Sequence, residues 1–420
     1  MVTGQVEGSS VSPLPEWISL GVLARSVPRD EVDASVAVHG KQAKRAGGKL
    51  PPHVVVYFTM ALALYGDDDY EEVMTRLTET LSGWGRWGEA WQVPTTGGIT
   101  QARARLGWEV LAELFDRVAV PVAEELTRGA WLGSWRLMAV DGFMWDAPDT
   151  PKNVEEFGRS GSGDRASAFP QVRVVTLSEC GSHAVVGAQI GACEGKGSGE
   201  QSLAKALYRQ LDEDMLLIAD RNFYNFADWC TAADTGAALL WRVKSDLTLT
   251  ALRSYPDGSY LSVLVNPQFK GTARTRLLDA VRAGEAVGQD RARLVRVVEY
   301  EVPDREGDGK GELTCLITTI LDPDDAPAKQ LAGGYAERWE HETGNDQLKT
   351  HLRGPGQVLR SKTPDMVRAE IYGYLLTHHA ISSLICEAAT AADIDPDRIK
   401  FTRTVRIVRR RVTDSAAFPP

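Results

Sequence analysis

The sequence predicts a mixed α/β protein, in which helical segments at both ends of the chain enclose two β-rich tracts. Apolar residues recur at helical spacing up to residue 128, strand-like apolar runs begin at Trp135, and helical spacing returns after "DPDDAPAK". A chain of 420 residues with 43% hydrophobic residues is too long for one ordinary core. We therefore expect two or three domains.

Residues 1–128 are predicted to form a helical N-terminal domain. The stretch "LPPHVVVYFTMALALYG" has proline near its start and glycine after its end, as helices often do, and "QARARLGWEVLAELFDRVAVPVAEEL" alternates apolar and charged residues at helical spacing. Two arginines in "ITQARARLG", Arg103 and Arg105, suit a helix that lies in a DNA groove. An amphipathic helix without a role in DNA binding is an equally good interpretation of this stretch.

The two β-rich tracts differ in their predicted order of elements. In residues 129–236, "WRLMAVDGFMW" and "FPQVRVVTLSECGSHAVVGAQIG" read as strands with a turn at "ECGSH", followed by the helix "EQSLAKALYRQL" and the strand "MLLIAD". Residues 237–330 contain "ALLWRVKSDLTLTAL", "GSYLSVLV", "ARLVRVVEYEV" and "GELTCLITTIL", separated by turns such as "PDREGDGKG". Residues 331–390 are predicted to be helical, and residues 391–420 form a basic tail.

Several classes of protein are excluded. The longest apolar run, residues 54–64, is shorter than the ~20 residues of a membrane-spanning helix, and the N-terminus lacks the pattern of a secretory signal, so we expect a cytoplasmic protein without membrane contact. The five cysteines form no C-x-x-C pair, which argues against zinc sites and disulfides. The glycines of "GACEGKGSG" have the wrong spacing for a phosphate loop, so no nucleotide cofactor is expected.

Charge is distributed unevenly along the chain. The net charge of −10 disfavours a protein that coats nucleic acid non-specifically. The stretch "RIKFTRTVRIVRRR", residues 398–411, nevertheless has seven basic residues and no acidic one. It is either a solvated end of the chain or an arm that contacts phosphates.

Three carboxylates suit metal chemistry. "LMAVD" delivers Asp141 and "LLIAD" delivers Asp220, each after an apolar run that predicts a central strand, and α/β folds place functional groups at such carboxyl ends. With a helical Glu342 they would supply oxygen ligands for Mg²⁺ or Mn²⁺. Two such ions ~3.5–4 Å apart support an in-line displacement at phosphorus. Asp146 and Asp149 are rival ligands, although "WDAPDTP" reads as a turn.

The helix "YAERWEHETGNDQLK" is predicted to present one functional stripe. At about 100° per residue, Tyr335, Arg338, Glu342 and Lys349 point the same way, whereas Glu340 and Gln347 point to the opposite side. Arg338 and Lys349 would then bind the phosphates of a polyanionic substrate. Asp346 shares the stripe and is the rival to Glu342. The alternative for the whole stripe is a ladder of intrahelical salt bridges on a solvated face.

The spacing Tyr335-x2-Arg338-x3-Glu342-x6-Lys349 resembles the signature of the DDE transposases of the insertion-sequence-four family. The stretches "VDGFMWDAPDTPKNVEEFG", "FPQVRVVTLSECGSH", "ADRNF" and "LKTHLRGPGQVLRSKTPDMVRAEIYGYLL" resemble further segments of that family in the same order. The resemblance implies an α/β fold, with a ribonuclease-H-like mixed sheet flanked by helices, interrupted by a β-rich insertion domain and preceded by a helical N-terminal domain. Two departures are Gly142, where a small hydroxyl residue is more usual, and Asn222, where glycine is frequent.

The same resemblance implies roles for individual residues. Asp141, Asp220 and Glu342 would be the catalytic triad that binds two Mg²⁺ ions, with Mn²⁺ as a substitute. Tyr335, Arg338 and Lys349 would contact transposon-end DNA. Trp241, in the β-rich insertion, is a candidate for stacking on a flipped base, with a buried core position as the alternative.

The function implied is DNA transposition. Nicking of the element end by two-metal hydrolysis follows from the residues, whereas a hairpin intermediate and strand transfer into target DNA follow from the resemblance. The partners implied are the inverted-repeat ends, the target DNA and a second copy of the chain in the paired-end complex. A nuclease of the same fold without strand transfer and a non-catalytic, regulatory DNA-binding protein are the alternatives.

Overall fold

The computed structural model describes residues 25–43, 50–82, 93–161, 163–302 and 312–411. The N-terminal segment that lacks a signal pattern, the predicted turn "PDREGDGKG" and the last nine residues of the predicted basic tail lie outside the described residues. No helix in the described part of the chain combines the length and the apolar composition needed to cross a membrane.

The N-terminal segment is helical, as predicted. Its described helices are α1 (Arg29–Val38), α2 (Pro52–Leu64), α3 (Tyr70–Ser82), α4 (Thr96–Leu106) and α5 (Trp108–Val118). The long helix expected from "QARARLG…" is divided at Gly107, whose φ of +82° ends α4 and starts α5. Helix α2 is buried on all sides, which explains why its sequence is apolar without a polar face.

In the described residues, one mixed sheet of ten strands forms the centre of the fold. In spatial order the strands run β4-β3-β2-β5-β6-β10-β9-β8-β7, with β1 paired to β2. Strands β2, β5 and β6 are parallel to one another, and the other pairings are antiparallel. The strands are β1 (Trp131–Leu132), β2 (Trp135–Asp146), β3 (Gln171–Glu179), β4 (Val185–Ala192), β5 (Met215–Ala219), β6 (Ala238–Val243), β7 (Arg253–Ser254), β8 (Tyr260–Val265), β9 (Ala292–Val302) and β10 (Glu312–Thr318).

The predicted insertion domain, residues 237–330, does not form a sheet of its own. Its first strand, β6, pairs in parallel with β5, and its last, β10, pairs with β6, so the insertion extends the same sheet. Strand β6 is almost entirely buried, as expected of a central strand covered on both faces. The predicted boundary at residue 237 therefore falls inside the central sheet, and the added strands are β7 to β10.

The remaining helices cover both faces of the sheet. They are α6 (Pro151–Phe157), α7 (Glu200–Leu207), α8 (Phe226–Ala233), α9 (Gly271–Arg282), α10 (Ala328–Ala336), α11 (Arg338–Asp346), α12 (Pro364–Ala391) and α13 (Phe401–Arg411). Helix α12 packs against α2 and α5, and one hydrophobic cluster joins these helices to β2, β3 and β4. The N-terminal helices thus share a hydrophobic core with the central sheet.

The segment predicted as one helix over residues 335–349 is interrupted. Helix α10 ends at Ala336, α11 begins at Arg338, and a π-helical segment follows over Gln347–Leu352. At the junction the Glu337 and Glu340 N–H groups donate to carbonyls three residues back, at 3.1 and 2.9 Å, so the chain tightens locally. The side chains after the interruption therefore point in directions that differ from those of one continuous α-helix.

A buried arginine joins the added strands to the segment before α10. Arg296, on β9, is fully buried; it donates to Asp257 Oδ2 at 2.6 Å and to the Ala326 carbonyl at 2.7 Å. Burial opposes ionisation of Asp257, but hydrogen bonds from Ser259 and Ala328 and the charge of Arg296 outweigh it, and they lower the pKa of Asp257 to about 2. The insertion is therefore anchored to the chain that leads into α10 and α11.

Candidate active site

Two aspartates lie side by side on neighbouring parallel strands. Val140 of β2 is paired with Ala219 of β5, and Asp141 and Asp220 are the next residues on each chain. Strand β5 ends there, as predicted. Strand β2 instead continues to Asp146, paired with β3, so Asp141 marks the end of the parallel pairing rather than the end of its strand.

Helix α11 is fixed on the sheet next to Asp141 by buried polar contacts. Thr176 of β3 is the register partner of Asp141, and its hydroxyl lies 3.3 Å from His341 Nε2 and 3.2 Å from Asn345 Oδ1. His341 and Asn345 are one turn apart on the buried face of α11. Burial lowers the pKa of His341 to about 3, so this ring is neutral. Sequence reasoning missed these three residues, although the one-turn spacing of His341 and Asn345 was visible.

Arg338 is the cation that faces the carboxylates. Its Nη1 donates to Glu342 Oε1 at 2.7 Å. Burial works to lower the pKa of Arg338, but the bond to Glu342 and the charges of Tyr335, Glu342 and Asp220 raise it. Its charge also acts on Asp141. Arg338 is therefore bonded to Glu342, and its charge interacts with those of Asp141 and Asp220.

The carboxyl group of Asp141 is crowded by negative charge. The pKa of Asp141 is raised to about 6, chiefly by burial. The charges of Glu200 and Glu342 raise this pKa further. The Gly142 N–H, 2.8 Å from Oδ1, and the charge of Arg338 lower it. Four carboxylates, those of Asp141, Asp220, Glu200 and Glu342, outnumber the two arginines Arg338 and Arg173 that interact with them, so negative charge is in excess. A cluster of hard oxygen donors with this excess suits a divalent cation.

Glu200 is a fourth carboxylate of the site that the sequence did not reveal. It lies at the start of α7 and bonds through Oε1 to Arg173 Nη1 at 2.9 Å. A side chain at position 142 would place its Cβ 2.9 Å from Glu200 Cγ. Gly142, the departure from the family pattern, therefore makes room for Glu200 beside Asp141. The contact joins β2 to a helix that is distant in sequence, so no local sequence pattern predicts that Glu200 lies in the site.

The other members of the predicted stripe lie around the same site. Lys349 lies in the π-helical segment, with Nζ 5.8 Å from the centre of the Phe143 ring, two residues after Asp141. Tyr335 is buried in the core beneath α10, where burial raises the pKa of its hydroxyl and the charges of Arg338 and Asp220 act on it. Tyr335, Arg338 and Glu342 therefore interact electrostatically with one or both aspartates, and Lys349 lies beside the neighbouring Phe143.

The rival carboxylates are engaged elsewhere. Asp346, which the helical projection placed on the same stripe, bonds to Thr350 Oγ1 at 2.5 Å and lines a separate cavity with His183 and Asp397. Asp146 accepts from Gln171 Nε2 at 2.9 Å, and Asp149 accepts from Arg159 Nη2 at 2.7 Å. Glu342 and Asp346 are one turn apart within α11, so the prediction that they share a stripe stands, but Asp346 is exposed and bonded to Thr350.

Two predicted DNA contacts are corrected by burial. Trp241 is fully buried, packed edge-on against Trp229 with 5.3 Å between ring centres, so no face of the ring is open to a base. Arg103 is 2% exposed and donates to the Tyr70 hydroxyl at 2.6 Å, which makes it a core residue joining α4 to α3. Arg105 is exposed, as a DNA contact requires.

Two exposed features adjoin the predicted site residues. Trp339 is 63% exposed on α11, and the Arg338 guanidinium lies 5.5 Å from its ring centre. Helix α13 buries Phe401, Val405 and Val408 and exposes a stripe of arginines. This arginine stripe consists of Arg403, Arg406 and Arg410.

Comparison with known proteins identifies the family. Residues 17–116 match the family described as "Insertion element 4 transposase N-terminal", and residues 135–378 match the family described as "Transposase DDE domain". Transposase InsG for insertion sequence element IS4 of Escherichia coli (strain K12) is 25% identical over 367 residues, which cover 86% of this chain and 76% of the relative.

Among solved structures, the chain is similar to the piggyBac transposase in its synaptic complex with hairpin DNA. The TM-score is 0.48 with 10% identity, and the match covers 94% of this chain and 80% of that chain. The DDE match alone spans more than half of the residues and contains the paired aspartates, Arg338 and Glu342. The chain therefore belongs to the insertion-sequence-four family of DDE transposases.

Proposed function

We propose that this transposase cuts transposon ends and joins them to target DNA by metal-assisted phosphoryl transfer, with Asp141, Asp220 and Glu342 as its metal-binding residues. The observation that carries the proposal is their grouping: Asp141 and Asp220 follow the last parallel pair of β2 and β5, and Glu342 lies on the docked helix α11, where its charge and that of Arg338 act on Asp141. The protein would act in the bacterial cytoplasm, on the nucleoid.

The three carboxylates would hold two Mg²⁺ ions, for which Mn²⁺ can substitute. Bound ions of this kind make a water more acidic and stabilise charge on the leaving oxygen of a phosphodiester. The donor set fits, since it offers only oxygen atoms and an excess of negative charge. Glu200 adds to that charge from beside Asp141 without being part of the predicted triad.

The basic residues of the site would bind and orient the DNA backbone. The Arg338 guanidinium is bonded to Glu342, and its planar group is suited to bind a phosphate in two places. Lys349 would contact a neighbouring phosphate. Buried Tyr335 lies under Arg338 and would help to hold it in position. Such positioning supplies much of the rate enhancement in phosphoryl transfer.

The exposed features would extend the DNA contact beyond the site. Trp339, with most of its ring exposed next to Arg338, replaces buried Trp241 as the residue suited to stack on a base displaced from the DNA end. Arg105 and the arginine stripe of α13 would bind further phosphates. Two copies of the chain would hold two transposon ends together.

The products formed on a transposon end test this proposal. We expect that, with Mg²⁺, a labelled duplex carrying the flanking inverted repeat is nicked, converted to a hairpin end and joined to a target plasmid. Trp339→Ala should lower hairpin formation by about tenfold, because loss of base stacking costs ~1–3 kcal/mol, and should leave nicking intact. Trp131→Ala, which removes another partly exposed tryptophan, is the control.

Each other outcome has a defined meaning. Cleavage without any joined product would indicate a nuclease of the same fold. Salt-dependent binding without cleavage in Mg²⁺ or Mn²⁺ would indicate a regulatory DNA-binding protein.

A further inference from the structure

A second group of metal-ligating side chains lies on the opposite side of α11 from Glu342. Ligand atoms of His183, Glu340 and Asp397 all lie within 4.8 Å of one another. His183 Nε2 contacts Glu340 Oε2 and lies 3.3 Å from Asp397 Oδ1. The three residues come from the turn between β3 and β4, from α11 and from the short turn before α13. Three separate segments therefore direct ligands to one point.

The histidine is held in an unusual conformation that aims its ring at this point. His183 has a φ of +57°, in the left-handed region that non-glycine residues seldom adopt, and it is buried. Such backbone strain concentrates at functional sites. The Gln347 side-chain amide lies 2.9 Å from His183 Nδ1, and its other end lies 3.3 Å from His378 Nε2. A histidine that binds a metal through Nε2 donates its Nδ1–H to an acceptor, so on metal binding the Gln347 amide, whose NH2 group faces Nδ1 here, would turn to present its oxygen.

The surroundings of the cluster carry an excess of negative charge. Glu337 and Asp395 lie near the two carboxylate ligands, and their charges act on the same groups. Burial raises the pKa of Asp397, the charge of His183 lowers it, and the charges of Glu340 and Asp395 raise it further. One histidine cannot neutralise four carboxylates, whereas a divalent cation bound between them can offset much of this repulsion.

We propose that His183, Glu340 and Asp397 form a structural metal site that binds Zn²⁺. One imidazole nitrogen with two carboxylates is a donor set for zinc rather than for Mg²⁺, which prefers oxygen alone. Ligands about 2.0–2.2 Å from a tetrahedral zinc lie about 3.3 Å apart, as do His183 Nε2 and Asp397 Oδ1. A cavity of about 290 Å³ that His183 and Asp397 line gives solvent access for a fourth, water ligand.

Such an ion would connect the catalytic helix to the basic C-terminal helix. Glu340 precedes Glu342 by two residues on α11, and Asp397 lies just before α13 and its arginine stripe. The ion would therefore fix the position of the helix that carries Glu342 relative to the proposed DNA-binding arginines. This site does not depend on the proposed catalytic function, because it shares no ligand with the Asp141, Asp220 and Glu342 triad.

The test is Zn²⁺ binding by the full chain after removal of metals with a chelator, followed by titration calorimetry and by Co²⁺ absorption as a second readout. We expect the unmodified chain to bind one Zn²⁺ at this site. Asp397→Asn and His183→Gln should each weaken binding at least tenfold. Asp397 is half-exposed, so its variant is expected to fold, and Zn²⁺ should raise the unfolding temperature of the unmodified chain but not of Asp397→Asn.

Two controls separate this site from other sources of binding. Asp395→Asn changes the same turn and keeps the oxygen that accepts from the Asp397 N–H at 3.0 Å, so it should bind Zn²⁺ like the unmodified chain. Glu342→Gln, in the triad, should do the same. Absence of Zn²⁺ binding, equal binding by Asp397→Asn, or loss of binding in Glu342→Gln alone would each overturn the proposal.

Discussion

Asp141 shows how one residue can serve the site at the expense of folding. Its pKa in the folded chain is raised to about 6 from an ordinary value of 3.8, chiefly by burial. The folded chain therefore favours the protonated carboxyl, and ionising it at neutral pH costs up to about 3 kcal/mol of stability. This cost is fully present above pH 6 and disappears as the pH falls from about 6 to about 4.

We therefore expect Asp141→Asn to stabilise the metal-free chain at pH 7.5. The amide keeps the oxygen that accepts from Gly142 and carries no charge, so the unfolding temperature should rise. The gain should shrink towards zero by about pH 4, where both forms are neutral. Thermal unfolding with a chelator at pH 7.5 and pH 4.5 measures it, with exposed Asp346→Asn as the control. A lower unfolding temperature for Asp141→Asn at pH 7.5 would refute this assignment of charge.

At the residue scale, the sequence predicted the triad carboxylates but not their neighbours. Asp141 and Asp220 were predictable because each follows an apolar run that forms a buried strand. Glu200 was not, since it reaches the site through a contact between β2 and a distant helix. Trp241 and Trp339 show a further limit of prediction from sequence. Both are tryptophans next to charged residues in the sequence, and only the packing of the folded chain distinguishes the buried ring of Trp241 from the exposed ring of Trp339.

Helix α11 is the element on which the geometry of the site depends. Thr176, fully buried on β3, contacts His341 and Asn345 and so holds α11 on the sheet beside Asp141. Apolar packing alone does not explain this docking, because the buried face of the helix is polar. The buried hydroxyl acts as the connection between strand and helix.

Thr176→Val should weaken both folding and catalysis. The valine keeps the shape but leaves the buried Asn345 oxygen without its partner, which costs about 1–3 kcal/mol. Glu342 should then be less well positioned, so kcat for end cleavage should fall more than DNA affinity does. Thr343→Val, on the exposed side of the same helix, is the matched control and should change stability by less than about 0.5 kcal/mol. Equal effects of the two substitutions would count against the docking role of Thr176.

At the element scale, local patterns predicted most helices and strands but not their connections. The apolar run of α2 and the long α12 were correctly assigned. The interruption at Glu337 was not, because it arises from tightened hydrogen bonds that no composition signals. The continuity of the sheet through β6 and β10 was also missed, since strand pairing is set by contacts distant in sequence.

The whole molecule carries a net charge of −10, yet one surface is strongly basic. Helix α13 packs its apolar face on the core and exposes Arg403, Arg406 and Arg410 in one stripe. Release of counterions from DNA makes such a surface effective despite an acidic total, and its contribution depends on salt. The arginine stripe of α13 would therefore bind the DNA, and the triad would cut it.

Replacing all three stripe arginines with alanine should weaken DNA binding uniformly across sequences. The slope of log K against log salt should become shallower by up to about 3, because each phosphate contact contributes ~0.9. Fluorescence anisotropy over a range of salt concentrations measures this slope. Arg282→Ala is the control, since that arginine is paired with Asp279 on an exposed helix. An unchanged slope in the triple variant would exclude α13 from the DNA contact.

The assignment of Glu342 to the metal-binding triad is tested most directly by cleavage of a labelled transposon end in Mg²⁺. The activities of Glu342→Gln and Asp346→Asn are measured beside that of the unmodified chain. Both substitutions remove one carboxylate from α11, but the charge of Glu342 acts on Asp141, whereas Asp346 lines a separate cavity. We expect Glu342→Gln to bind DNA and to lose cleavage by a thousandfold or more, on the order of 4 kcal/mol, while Asp346→Asn cleaves normally. Normal cleavage by Glu342→Gln, or its loss in Asp346→Asn alone, would contradict the assignment of the triad.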